Sequence, residues 1–420
     1  MKNNILFCFV VLLSQHIIFA QCGDRYLEDI SSTLITHKDI KYGNNLDSKD
    51  VSTDLLLDVY EPENDTLSLR PLMIFVHGGS FIGGSRTDQS IDENAKYFAR
   101  KGYVTANIEY RVEQTNLLTP ILNFADKNNW YKAMIRVVHD INATIRFFKK
   151  DVAENGNIYR IDTSQIILYG SSAGAIACLH ATYIDDLDEA SVDFRRNFTA
   201  LGGLEGNSGN AGYTSRNSVK AIVSCSGAID NLNYLNNNKD IKFIAFHHGI
   251  DLTVPYDKGC FVTVACHLNQ FYGSKQIAQR QKTLGATYEF YTFDKIDHPA
   301  DKTANAEDRA FLLATTATFL HNNVVCNDRT TPIKKNNYQT FNVYPNPTSN
   351  QFFVDYDNNI EQKEIELQII NIVGEKVLER KMIARSAEPI NINLEKGMYT
   401  VRIVNSAENT IYISKLMVTN

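Results

Sequence analysis

At Gly170–Gly174 the chain reads Gly-Ser-Ser-Ala-Gly, directly after the apolar run Ile166, Ile167, Leu168. A side chain at the tip of a tight strand-to-helix turn stands clear of the sheet, but the chain segments on either side of it pass very close together. Residues two before and two after must therefore be small. Gly170 and Gly174 hold those places relative to Ser172, so Ser172 is the tip and Ser171 the variable position. The following AGAIACLHATYI is helix-competent, and amides at its N-terminus favour negative charge developing near the serine oxygen. A serine hydroxyl is a weak nucleophile at neutral pH; it needs a base within hydrogen-bond reach and an acid to orient that base. Upstream, FVHGGSFIGGS (75–85) offers backbone amides that no bulky side chain obstructs, the kind of donor that stabilises a developing oxyanion.

Such residues act only if the fold carries them to one place. Short apolar runs alternate with longer amphipathic ones, the pattern of parallel strands joined by crossover helices. DLLLDVYEP and LMIFVHGG read as strands, DENAKYFARKG as a helix closed by Gly102, and YVTANIEYR as the next strand. WYKAMIRVVHDINATIRFFKK sets Ile135, Val138, Ile141, Ile145 and Phe148 at helical spacing. QIILYG, AIVSCSG, IKFIAFHHG and TYEFYTF follow as strands, with helices expected around residues 261–284 and 303–322. The fold class is α/β, a doubly wound, mainly parallel sheet whose ligand sites lie just beyond the carboxyl ends of the strands. Asp185–Ser218, with GGLEGNSGNAGYTSRNS, is too glycine-rich and polar for a core element; it reads as an insertion over the site, or equally as a surface excursion with no role.

His298, in the loop after TYEFYTF, has the place of a base; it alone of the ten histidines follows that strand in a loop. His247 and His248 end the preceding strand and read as a structural turn. Asp251, after IKFIAFHHG, and Asp257, where the next helix should begin and where an aspartate serves as a cap, are the candidate acids. The glycine loop, the elbow, an acid and a histidine in this order resemble the α/β-hydrolase superfamily over residues 50–322, in its carboxylesterase and hormone-sensitive-lipase-like branches. LLLDVYEP before HGGSF, with GSSAGA, is similar to bacterial feruloyl and acetyl-xylan esterases. The resemblance favours Asp251, because LTVPY after it matches the family's D-x-x-V-P turn. It implies a catalytic set of Ser172, Asp251 and His298, with oxyanion donors at Gly79, Ser80 and Ala173. Ser80 departs from the family's HGGG pattern, and His77 reads as a brace for that loop. The expected activity is serine carboxylic-ester hydrolysis without a cofactor or metal, on short-chain, aryl or carbohydrate-linked esters. The rivals are a prolyl-oligopeptidase-type serine peptidase and a catalytically silent hydrolase fold used for binding.

At 420 residues the chain has room for two domains, and its formal charge of -6 is not gathered into blocks; no basic footprint invites nucleic acid. MKNNILFCFVVLLSQHIIFA (1–20) reads as a cleaved secretory signal, its apolar stretch too short and interrupted for a stable membrane span. Its removal leaves Cys22, Cys178, Cys225, Cys260, Cys266 and Cys326 in a chain bound for an oxidising compartment, with Cys260–Cys266 and Cys22–Cys326 as candidate disulfides. The hydrolase domain is expected over 21–326 and a linker over 327–340, where NDRTTPIKKNNYQT is polar and turn-forming. From 341 to 420 helices give way to short alternating strands, a small all-β sandwich. There VYPNPTSNQFFVDY, IINIVGEKVLE, LEKGMYTVRIVN and KLMV resemble the C-terminal sorting domain of type IX secretion cargo in Bacteroidota. The resemblance implies the secretion machinery as a partner and a secreted or cell-surface location; a carbohydrate-binding module would show a cluster of aromatics that is missing here.

Overall fold

The computed structural model describes residues 22–113, 126–260, 270–302, 306–326, 338–340, 342–355, 363–371, 376–385, 388–405 and 410–419. The expected signal segment, most of the expected linker and Cys266 lie outside them. Two compact units divide the chain, residues 1–327 and 328–420.

In the first unit the apolar runs become strands β1 (Leu34–Leu46), β2 (Ser52–Pro62), β3 (Arg70–Val76), β4 (Val104–Ile108), β5 (Ile161–Ser171), β6 (Val219–Cys225), β7 (Ala228–Ile229), β8 (Lys242–His248), β9 (Lys258–Gly259), β10 (Phe271–Gly273) and β11 (Tyr288–Phe293). The helices are α1 (Gln89–Arg100), α2 (Lys127–Glu154), α3 (Ala173–Tyr183), α4 (Val192–Leu201), α5 (Ser274–Leu284) and α6 (Ala306–Leu320). Eight strands form one sheet in the order β1-β2-β4-β3-β5-β6-β8-β11. Its pairs are parallel except those that β2 makes with β1 and β4. Successive side chains of a strand face opposite sides of the sheet, and here both sides are apolar. Leu72, Ile74, Val76, Ile166 and Leu168 face one core with α2, α3 and α4. Met73, Phe75, Ile167 and Tyr169 face a second core with α1 and α6.

Register decides where the loops emerge. Val76 pairs with Gly170, Ser171 with Cys225, Cys225 with Phe246, and His248 with Phe293. The carboxyl ends of β3, β5, β6, β8 and β11 are thus level, and the segments beginning at His77, Ser172, Ser226, Gly249 and Asp294 leave from one edge of the sheet.

Two expectations change. Residues 271–273, expected as helix, form β10, which pairs with β7 and β9; the helix proper begins at Ser274. The segment 185–218 is no idle excursion, because it carries α4 and runs along α2. Phe194 and Phe198 are buried in the core. Beyond Gly202 its polar groups meet polar groups of α2: Arg146 donates to the carbonyls of Glu205 and Gly209, and Ser208 Oγ donates to Asp140, itself paired with Arg111 at 2.7 Å. At Gly206, with φ of 64°, a Cβ would run into the His139 ring. Its polar, glycine-rich composition matches a polar buried helix face.

A disulfide joins Cys22 to Cys326, and Cys178 and Cys225 are buried thiols. Cys260 is also disulfide-bonded; Cys266, its expected partner, lies outside the described residues.

The second unit, over its described residues, is built from strands: β12 (Tyr338–Thr340), β13 (Asn342–Tyr344), β14 (Gln351–Asp355), β15 (Glu364–Ile370), β16 (Lys376–Ile383), β17 (Ile390–Asn391), β18 (Gly397–Asn405) and β19 (Thr410–Val418). A five-stranded sheet, β12-β19-β18-β15-β16, and a three-stranded one, β13-β14-β17, share an apolar core. Alternation fills it: Ile365, Leu367 and Ile369 of β15 are buried, with Leu367 opposite Ile403 and Ile369 opposite Val401 of β18.

Candidate active site

β5 ends at Ser171 and α3 begins at Ala173, so Ser172 alone makes the turn, with φ of 51° and ψ of -117°. L-residues rarely adopt that φ, and the position is strained. Close packing holds it there. A Cβ on Gly170 would collide with the backbone of Ala175, and one on Gly174 with the carbonyls of Val76 and His77. Ser172 N donates to the Cys225 carbonyl at 2.8 Å, tying the turn to β6.

Ser172 Oγ lies 2.6 Å from Nε2 of His298. Nδ1 of the same ring lies 2.7 Å from Oδ2 of Asp251. The Asp251 side chain is fully buried, while that of His298 keeps 16% of its surface exposed. Oδ1 of Asp251 accepts the amides of Thr253 at 2.8 Å and Val254 at 3.0 Å. Burial alone would raise the Asp251 carboxyl, but hydrogen bonds from His247 and His298 outweigh it and hold the group well below the usual carboxylate range. The acid therefore stays ionised and fixes the ring with hydrogen on Nδ1, leaving the Nε2 lone pair toward Ser172. The arrangement can take a proton from the serine oxygen.

Asp257 faces elsewhere: its carboxylate takes Lys275 Nζ and Gln276 Nε2, both at 2.6 Å, from the first turn of α5.

The glycine loop approaches the turn from β3, and a Cβ on Gly78 would sit 3.2 Å from the Ser172 Cβ. Gly79 has φ of 122°, Ser80 of 54° and Phe81 of 63°. The position where the family prefers glycine is thus left-handed here, and Ser80 occupies it under strain. Among the described residues no hydrogen bond takes the amide hydrogens of Gly79 or Ser80 to a backbone carbonyl. Ala173 is the first residue of α3, where an amide has no intrahelical acceptor. His77 is buried and stacks on Tyr110 with ring centroids 4.0 Å apart. Its Nδ1 donates to the Gly78 carbonyl at 2.7 Å and its Nε2 lies 3.5 Å from Glu109. Tyr110 donates to the His77 carbonyl at 3.0 Å. These contacts brace the loop.

Several residues at the site carried no signal in the sequence. Ser171 donates to the buried carboxylate of Asp301 at 2.7 Å, and Ala300 N donates to Ser226 Oγ at 3.2 Å. The loop after His298 is anchored by both contacts beside the ends of β5 and β6. Burial pushes the Asp301 carboxyl up. His247 is no mere turn residue, since its Nε2 lies 3.3 Å from Asp251 Oδ2.

The BD-FAE family model matches residues 57–245, which include the glycine loop and the elbow. The chain carries an esterase-like α/β-hydrolase domain. The secretion system C-terminal sorting domain matches 342–419, and such a tail marks the chain for export to the cell surface or beyond. Carboxylesterase 3B of Mus musculus is 28% identical over 123 residues, 29% of this chain and 19% of that protein. Juvenile hormone esterase of Tribolium castaneum is 26% identical over 121 residues, 29% of this chain and 18% of that protein. The chain thus spans about a fifth of the length of these curated relatives. Among solved structures, native esterase 2 of Thermogutta terrifontis is similar with a TM-score of 0.45 and 18% identity, covering 70% of this chain and 95% of that one. The same esterase phosphorylated by paraoxon gives 0.45 and 18%, covering 68% and 94%. No helix among the described residues is long and apolar enough to cross a membrane.

Proposed function

We propose that the protein is an exported serine esterase, hydrolysing carboxylic esters through an acyl-enzyme on Ser172. The observation that carries the proposal is the unbroken hydrogen-bonded line from Ser172 Oγ through His298 to Asp251, at 2.6 and 2.7 Å. His298 Nε2 takes the Ser172 proton as Oγ attacks the ester carbonyl. The oxyanion is held by the amides of Gly79, Ser80 and Ala173, a contribution of about 3 kcal/mol per effective donor. Asp251 orients the imidazole and balances its charge. The alcohol leaves with the proton from His298, and water, activated by the same base, attacks the acyl carbon and frees the acid and Ser172.

For substrate we favour short-chain, aryl or carbohydrate-linked esters. The loops bearing Asp251 and His298 also expose Ile250, Leu252 and Ile296, apolar surface suited to an acyl or aryl group. A chain bearing a sorting tail meets polymers and their fragments outside the cell. The test is a panel of nitrophenyl esters and aminoacyl anilides assayed with the full chain and with Ser172→Ala. Ester turnover lost by about 10⁶-fold in the variant is expected; amide cleavage without ester turnover would overturn the assignment in favour of a peptidase.

A further inference from the structure

Two imidazoles share the carboxylate of the site. His247, the penultimate residue of β8, is fully buried, as is Asp251. Its Nε2 lies 3.3 Å from Asp251 Oδ2 and 3.2 Å from the carbonyl oxygen of Val254. Both neighbours only accept, so Nε2 must carry a hydrogen whatever the charge of the ring. At the other end Nδ1 lies 2.9 Å from Ser274 Oγ, the first residue of α5, and that oxygen lies 3.3 Å from the Gly227 carbonyl. A hydroxyl both donates and accepts. With a neutral ring Ser274 donates to Nδ1; with a charged ring Nδ1–H donates to Ser274, whose hydrogen turns to Gly227. Tyr256 meets the ring edge-on at 5.7 Å between centroids, and Lys275 pairs with Asp257. His248, on the opposite face of β8, packs on Phe293. Asp251 and, through it, His298 are the charged groups that answer to His247.

We propose that His247 is a positioning residue for the esterase: its Nε2–H shares Asp251 Oδ2 with His298, fixing the carboxylate and tempering the negative charge felt by the base. The proposal rests on the reading of Ser172, His298 and Asp251 as the catalytic set. A carboxylate released from one of its two ring donors is fixed less firmly and holds the remaining imidazolium more strongly.

Two variants isolate the contact, because a glutamine amide reaches about as far as Nε2 and an asparagine amide only as far as Nδ1. In His247→Asn the acid limb of the kcat/KM profile should move to higher pH. Its kcat should fall severalfold with KM unchanged, whereas His247→Gln should stay within about twofold of wild type on both readouts. An asparagine variant matching wild type, or a glutamine variant as impaired as the asparagine one, would overturn the inference. A readout free of substitution is the ¹⁵N shift of the His247 ring in the wild-type protein. Hydrogen on Nε2 at every pH is expected, and a ring protonated on Nδ1 alone would refute it. If the wild-type protein turned over no ester, the underlying reading would fail instead of this one.

Discussion

Asp251→Asn sets the hydrogen-bond geometry against the proposed mechanism most sharply. Four donors converge on this carboxylate: the amides of Thr253 and Val254 on Oδ1, and the rings of His298 and His247 on Oδ2. Asparagine has one acceptor oxygen. Turned toward His298, it would leave its NH₂ against two buried amide hydrogens, at about 1–3 kcal/mol for each donor left unsatisfied. The other orientation is therefore favoured, with the oxygen on the amides, the NH₂ facing His298 Nδ1, and His247 Nε2–H left to the Val254 carbonyl at 3.2 Å. That nitrogen must then give up its hydrogen, so the proton moves to Nε2 and the ring donates toward Ser172 where it should accept. In serine triads this change costs about four powers of ten in kcat, or about 5.5 kcal/mol in the barrier. KM should change by less than about threefold, because Asp251 is buried behind His298. Initial rates on nitrophenyl acetate across pH, with folding checked by near-UV circular dichroism, give the answer. A folded variant retaining more than a tenth of wild-type kcat would refute the assignment of Asp251.

Three further outcomes are expected. Burial pushes His139 down to about 4 from the ordinary 6.5 of an imidazole, so the native state excludes a proton that the unfolded chain binds in between. The stability this group provides is complete above pH 6.5 and is lost as pH falls toward 4, about 3 kcal/mol in all; denaturant titrations of His139→Gln should show a flatter dependence in that window, and a slope equal to wild type would contradict it. Replacing Cys22 and Cys326 by serine reopens a loop of 304 residues' separation and should lower Tm by about 5–10 °C with kcat unchanged, as read by calorimetry. Leu252→Ser with Ile296→Ser should raise KM for butyrate and aryl esters about tenfold and leave acetate nearly unchanged, whereas equal effects on all acyl lengths would remove these residues from the binding surface.

Steric necessity made the elbow legible: where the chain doubles back as tightly as at Ser172, Gly170 and Gly174 have no substitutes, so spacing alone marks the turn. The sheet was legible because both faces of β3, β5, β6 and β8 are apolar and their residues form unbroken hydrophobic runs. β1 escaped notice for the opposite reason, being an edge strand in which Tyr42 alone is buried. The segment 185–218 misled because polar composition normally means solvent, while here Glu205 and Ser208 meet Arg146 and Asp140 of α2. His247 and His248 look alike in a linear string. Only the alternation of a strand sends the first to Asp251 and the second to Phe293. The anchoring of Ser171 by Asp301 likewise depends on a loop brought back across 130 residues.

Covalent labelling tests the central claim most directly. A fluorophosphonate incubated with the purified protein should add one phosphonyl mass, with the modified peptide carrying it on Ser172 and no addition to Ser172→Ala. An unmodified wild-type protein, or a label on any other residue, would contradict a nucleophile at that turn.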